Sequence, residues 1–119
     1  MINPRSIEEV KDILLAMASR IDLWDGTWEQ NSYTEPLSSG DGFWYGLSYK
    51  KRFGEYEVSI GCEGEDDNCV TFIDIYHEDS STKVVFAESP EGLCLIDSII
   101  SRHARERLEE EFSNYASDC

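Results

Sequence analysis

The chain has 119 residues, with 10 Lys plus Arg against 25 Asp plus Glu and a formal net charge of −15. That length suits one domain, residues 1 to 119, with a real hydrophobic core, and the charge excludes direct binding to nucleic acid phosphates or to an anionic membrane. No run approaches the roughly 18 apolar residues of a membrane helix, and Met1 to Val10 lack a charged-then-apolar leader, so a cytoplasmic location is expected.

Pro4 and Ser6 introduce a first helix, and Ser6 with Glu9 fits a capping box, in which hydroxyl and carboxylate satisfy free backbone N–H groups. Ile7, Val10, Leu14, Met17, Ile21 and Trp24 follow at helical spacing, and Asp25-Gly26 is the expected stop. Thr27 to Asp41 is rich in turn residues, and within it Trp28 to Thr34 reads as a short edge strand.

From Phe43 to His77 the period changes to two. Phe43, Tyr45, Leu47 and Tyr49 alternate with Trp44, Gly46, Ser48 and Lys50, and after a turn at Lys50 to Glu55 the residues Tyr56, Val58, Ile60 and Cys62 alternate with Glu57, Ser59 and Gly61. A simple register sets Tyr49 opposite Tyr56, Leu47 opposite Val58 and Tyr45 opposite Ile60. After a loop at Glu63 to Asn68, a third strand places Cys69, Thr71, Ile73 and Ile75 across from Cys62, Ile60, Val58 and Tyr56. Lys83 to Ala87 is a short further strand. Ser89-Pro90 then caps a helix of about 25 residues, roughly 38 Å, along which Leu93, Ile96, Ile100, Ala104, Leu108, Phe112 and Tyr115 keep their spacing. Glu109, Glu110 and Glu111 oppose its dipole, so that end is expected to fray or to meet something basic.

The fold class is therefore α+β: an antiparallel meander of three to four strands with an N-terminal and a long C-terminal helix packed on one face. Double-stranded-RNA-binding domains share this order, but they carry a basic cluster where this chain has Ser89-Pro90-Glu91-Gly92-Leu93-Cys94. The resemblance is one of order alone.

Charge is the most informative functional feature. Residues 1 to 52 carry a net −2 and residues 53 to 119 a net −13, and from Glu55 to Asp79 there are nine carboxylates and no Lys or Arg. Glu63, Glu65, Asp66 and Asp67, with Glu78 and Asp79 nearby, are the expected partner-binding array. Glu63 to Asp67 lacks the spacing and glycine of a calcium loop, so no metal or other cofactor is assigned. On the sheet's second face Trp44, Phe72, Tyr76, Val84 and Phe86 stand beside Glu57, Asp74 and Lys50. Such a face is covered by the Trp28 to Tyr33 segment, by a homodimer or by a partner.

No catalytic residue is assigned. His77 and His103, the sole imidazoles, lack a triad pattern, and Glu57 beside Asp74 is the one paired-carboxylate arrangement to weigh. Cys62 and Cys69 would face each other across the second hairpin, and the spacing of the four cysteines fits small core residues better than metal ligands. The functional expectation is a small acidic, non-catalytic inhibitor that occupies a basic, nucleic-acid-binding surface of a nuclease or defence complex. In size and charge it resembles phage-encoded anti-CRISPR and anti-restriction inhibitors. The alternatives are an immunity protein neutralising a toxin and a cytosolic chaperone or adaptor, dimeric through the second face.

Overall fold

A computed structural model of the chain describes residues 4–65, 68–77, 80–86 and 89–118, without the side chains of residues 19, 80–86 and 118. The expected α+β order holds: helix, antiparallel meander, helix. In chain order the elements are α1 (Ile7–Met17), a 3-10 turn (Ala18–Arg20), β1 (Glu29–Pro36), β2 (Phe43–Phe53), β3 (Tyr56–Glu65), β4 (Asn68–His77), β5 (Ser80–Phe86), α2 (Pro90–Ile99) and α3 (Arg102–Asp118). The strands lie side by side in sequence order in one sheet. β1 is the expected edge strand, longer than its polar sequence suggested, and it makes the sheet five-stranded.

The helix starts follow the sequence. Ser6 Oγ accepts from Glu9 N–H at 3.2 Å, while the Glu9 carboxylate returns to Arg5 N–H at 2.6 Å, one residue before the cap. Ser89 Oγ accepts from Gly92 N–H at 3.0 Å, with Pro90 at the first helical position.

The helix ends do not follow it. α1 stops at Met17, so Ile21 and Trp24 continue the apolar stripe in a turn rather than a helix. The C-terminal helix is two helices: Ile100 turns extended at φ −116° and ψ 151°, and Ser101 restarts the chain by accepting from Ala104 N–H at 3.0 Å. The break keeps Ile100 in the core, where a continuous rod 38 Å long would overhang the sheet.

Register kept its parity but not its pairing. Gly54-Glu55 alone is the first turn: Gly54 at φ 66° supplies the positive φ that a two-residue hairpin needs, and Phe53 pairs with Tyr56. Lys50, Lys51 and Arg52 therefore extend β2, and Tyr45, Leu47 and Tyr49 meet Gly64, Cys62 and Ile60. Across the second hairpin Cys62 pairs with Thr71, Ile60 with Ile73 and Val58 with Ile75. Because both slips are by an even number of residues, each apolar side chain stays on its expected face.

One core follows, on the helix side. Leu47, Val58, Ile60, Ile73 and Ile75 of the sheet pack with Leu108 and Phe112 of α3, which crosses β2, β3 and β4. α2 lies against β5, and α1 reaches the core by stacking on α2 through Val10 and Leu14. Trp28 is buried in this same core against Phe53, so it does not fold over the opposite face.

Candidate functional site

The face of the sheet that carries no helix is built from small residues flanked by large ones. Its registered rows run Tyr33, Gly46, Glu63 and Val70; then Ser48, Gly61, Phe72 and Phe86; then Lys50, Ser59, Asp74 and Lys83; then Arg52, Glu57 and Tyr76. A Cβ on Gly46 would lie 2.1 Å from the Tyr33 ring, so the ring rests on the bare β2 backbone. Its hydroxyl thereby spans two strands and donates to Glu63 Oε2 at 3.1 Å. Burial, with the Glu63 charge beside it, pushes the Tyr33 phenol up to about 12, against the opposing hydrogen bond from Trp44.

Gly61 serves a different need. A Cβ there would sit 2.1 Å from the Leu47 carbonyl oxygen, so β2 and β3 approach too closely for any side chain. Beyond it Asp74 is only 3 % exposed and accepts from Tyr76 O–H at 2.9 Å. Burial and that carboxylate raise the Tyr76 phenol. Asp74 pairs in register with Ser59, and Glu57 with Tyr76, so the two carboxylates are diagonal neighbours rather than a facing pair.

The predicted partner residues divide. Trp44, half-buried, Glu63 and exposed Glu65 gather at the end of the sheet where β2 begins and β3 finishes. Phe72 is buried in the middle of the face and Tyr76 lies toward the far end. Phe86 pairs with Phe72 in register, and its side chain lies outside the described residues. Asp66, Asp67, Glu78 and Asp79 also lie outside them. Of the expected array, the described members Glu63 and Glu65 lie together at one end of the sheet, while Glu55 and Glu57 lie at the other.

The near end holds residues the sequence reading passed over. Glu35 pairs with Trp44, and both Glu35 and Asp41 are exposed. Beside them Leu37, Asp41, Gly42, Phe43, Tyr45 and Glu65 line a cleft of about 220 Å³. Phe43, at 49 % exposure, is the most exposed large hydrophobic residue among those described. The signals available were Tyr33 facing Gly46 and an aromatic opening β2; a sequence without register could not align them.

The far end is a mixed-charge groove of about 400 Å³ lined by Lys50, Arg52, Glu55, Glu57, Tyr76 and His77. His77 Nε2 lies 3.4 Å from Glu55 Oε2, and its ring meets Tyr56 at 4.9 Å. Asp74 does not line this groove, and the carboxylate beside the imidazole there is that of Glu55. Among the described residues no group of three or more His, Cys, Asp or Glu side chains is placed to hold a metal.

Two cations of the last helix, Arg105 and Arg107, are engaged on the other side of the molecule. Arg105 Nε meets Asp97 Oδ1 at 2.8 Å and its Nη1 meets Glu109 at 3.5 Å. Glu111 accepts from Tyr49 O–H at 2.7 Å and from Trp24 Nε1 at 3.1 Å, while Arg107 lies 3.9 Å over the Trp24 ring. The acidic run of α3 is therefore anchored by the chain itself, where a frayed or partner-bound end was expected, and the helix continues to Asp118. Cys62 and Cys69 are free thiols on one face, diagonal across β3 and β4 rather than opposite, and the hydrogen-bonding contact with Cys69, together with burial, raises the Cys62 thiol.

No protein-family model, curated protein or solved structure matches this chain. What the surface can do is read from its own chemistry: it presents one hydrogen-bonded carboxylate, several exposed ones and aromatic rings at one end of the sheet.

Proposed function

We propose that the protein is a small, non-catalytic inhibitor that acts in the cytoplasm by occupying a basic, nucleic-acid-binding surface of another protein, such as a nuclease or a defence complex. The observation that carries this reading is the Tyr33 hydroxyl holding Glu63 across Gly46. A carboxylate held by a half-buried aromatic loses less side-chain freedom on binding than a free one, so more of its attraction for a cation appears as affinity. Trp44 stands beside it and exposed Glu35, Asp41 and Glu65 surround it, in a chain of net charge −15. Negative groups at the end of a rigid sheet compete for a groove built to grip phosphates, and they steer the encounter over a distance of about one Debye length, ~8 Å at physiological salt.

Reversal of Glu35, Asp41, Glu63 and Glu65 to Lys tests this. Proteins retained from a native lysate by the immobilised wild-type chain should be displaced by duplex DNA and by salt, and the reversed chain should not retain them. Retention unchanged by the four reversals would end the proposal.

A further inference from the structure

We infer that the cleft at the start of β2 is the receptor for one arginine side chain, carried on an extended basic segment of the partner protein. The inference rests on the reading of an acidic partner-binding surface and adds the residue type that it selects.

The molecule shows what its aromatic side chains do with cations. At Trp24 the Arg107 guanidinium lies 3.9 Å over the ring and 3.7 Å from the Glu111 carboxylate. At Trp28 the Lys51 ammonium lies 5.6 Å over the ring and donates to Thr27 Oγ1 at 3.1 Å. Each of these rings, flanked by oxygen acceptors, holds a cation supplied by the chain.

Phe43 has the same surroundings without the cation. Its ring is half exposed, 6.3 Å from that of Tyr45, and Asp41, Glu65 and Leu37 line the same cleft. Among the described residues no Lys or Arg lines the cleft and no cation reaches Asp41 or Glu65. The backbone there is fixed: Leu37 N–H donates to Gly42 O at 2.9 Å, and Gly40 N–H to Leu37 O at 3.0 Å, which closes the β1–β2 turn. A volume of about 220 Å³ with an aromatic face, an aliphatic wall and two carboxylates suits a planar cation that stacks by its face and donates from its edge. Guanidinium does both, whereas an ammonium is a compact, strongly hydrated point charge. Charge complementarity therefore selects the occupant, and geometry favours Arg over Lys.

The test uses the ¹⁵N-labelled chain titrated with two blocked Gly-rich hexapeptides, one carrying two Arg and the other two Lys. The expected result is amide shifts centred on Leu37, Asp41 to Tyr45 and Glu65, with tighter binding of the Arg peptide. Phe43→Ala should weaken the Arg peptide about three- to tenfold and abolish the Arg preference. Phe43→Leu, which keeps the bulk and removes the π face, should do nearly the same; retention of full affinity by Phe43→Leu would overturn the stacking role. Shifts spread over carboxylates all round the molecule, with Arg and Lys bound alike, would overturn the cleft and leave the broader acidic reading standing. No shifts with either peptide at low salt would overturn both. A chain that sediments as a dimer with the cleft amides protected would give the site to a second copy and overturn the inference.

Discussion

The two faces of the sheet are made from the same alternating strands, yet they are closed in different ways. On the helix side, Val58, Ile60, Ile73 and Ile75 meet Leu108 and Phe112, and burial comes from a second layer. On the other side Ser48, Ser59, Phe72 and Asp74 are equally inaccessible although no helix covers them. Here small residues along the two central strands make room, and at Gly46 the large side chain of Tyr33 lies down across its neighbour. One face is held by the shape fit of hydrocarbon, the other by glycine and by hydrogen bonds from phenols to carboxylates. A face closed by its own side chains stays in contact with solvent along its rim, where function can be placed without disturbing the core.

The largest expected effect breaks the first face. Phe112→Ala empties a side chain that is 1 % exposed and should cost about 3–5 kcal/mol in urea denaturation. Next comes the polar lock on the second face: Tyr76→Phe removes a donor to buried Asp74 and should cost about 1–3 kcal/mol, whereas a cost near zero would mean the carboxylate does not depend on that phenol.

Gly46→Ala should cost about 1–2 kcal/mol, since the Tyr33 ring sits on an edge strand and can swing away. Its sharper signature is the Tyr33 phenol, which should fall from about 12 toward its ordinary 10.0 in a spectrophotometric titration. The sign of the linkage is fixed. The unfolded chain releases this proton near 10.0 and the folded chain holds it to about 12, so stability declines as pH rises through that window. Tyr76 and Tyr49 are shifted in the same direction and add to the decline, and Tyr33→Phe should make it shallower. Smallest is Glu65→Lys, which should leave stability within about 0.5 kcal/mol while lowering affinity for the proposed basic partner; a large loss of stability would make Glu65 a structural residue.

The division between what the sequence disclosed and what it withheld follows the same two faces. Alternation from Phe43 to His77 fixed which side chains share the core, because a slip of two or four residues preserves parity. It could not fix which residue faces which, because Lys50, Lys51 and Arg52 look like a turn and are a strand; Gly54 alone carried the turn. Ser6 and Ser89 marked helix starts through a local bond, whereas the break at Ile100 was invisible: the apolar spacing continues through it and the reason for it is tertiary. At the candidate site Trp44, Glu63 and Glu65 were legible as types. Tyr33, Asp41 and Phe43 were not, since their meaning comes from a glycine on another strand and from a cleft closed by a loop.

The outermost strand carries a last consequence. β1 is polar and exposed along nearly all its length, begins and ends with acidic residues at Glu29 and Glu35, and closes on Pro36, which has no N–H to offer. An open rim of that kind normally invites further chains to add on, ending in fibrils. Here like charges meet any second copy that approaches in register, and the terminal proline denies it one hydrogen bond of the ladder. The protein can hold a bare sheet margin and still resist polymerising along it.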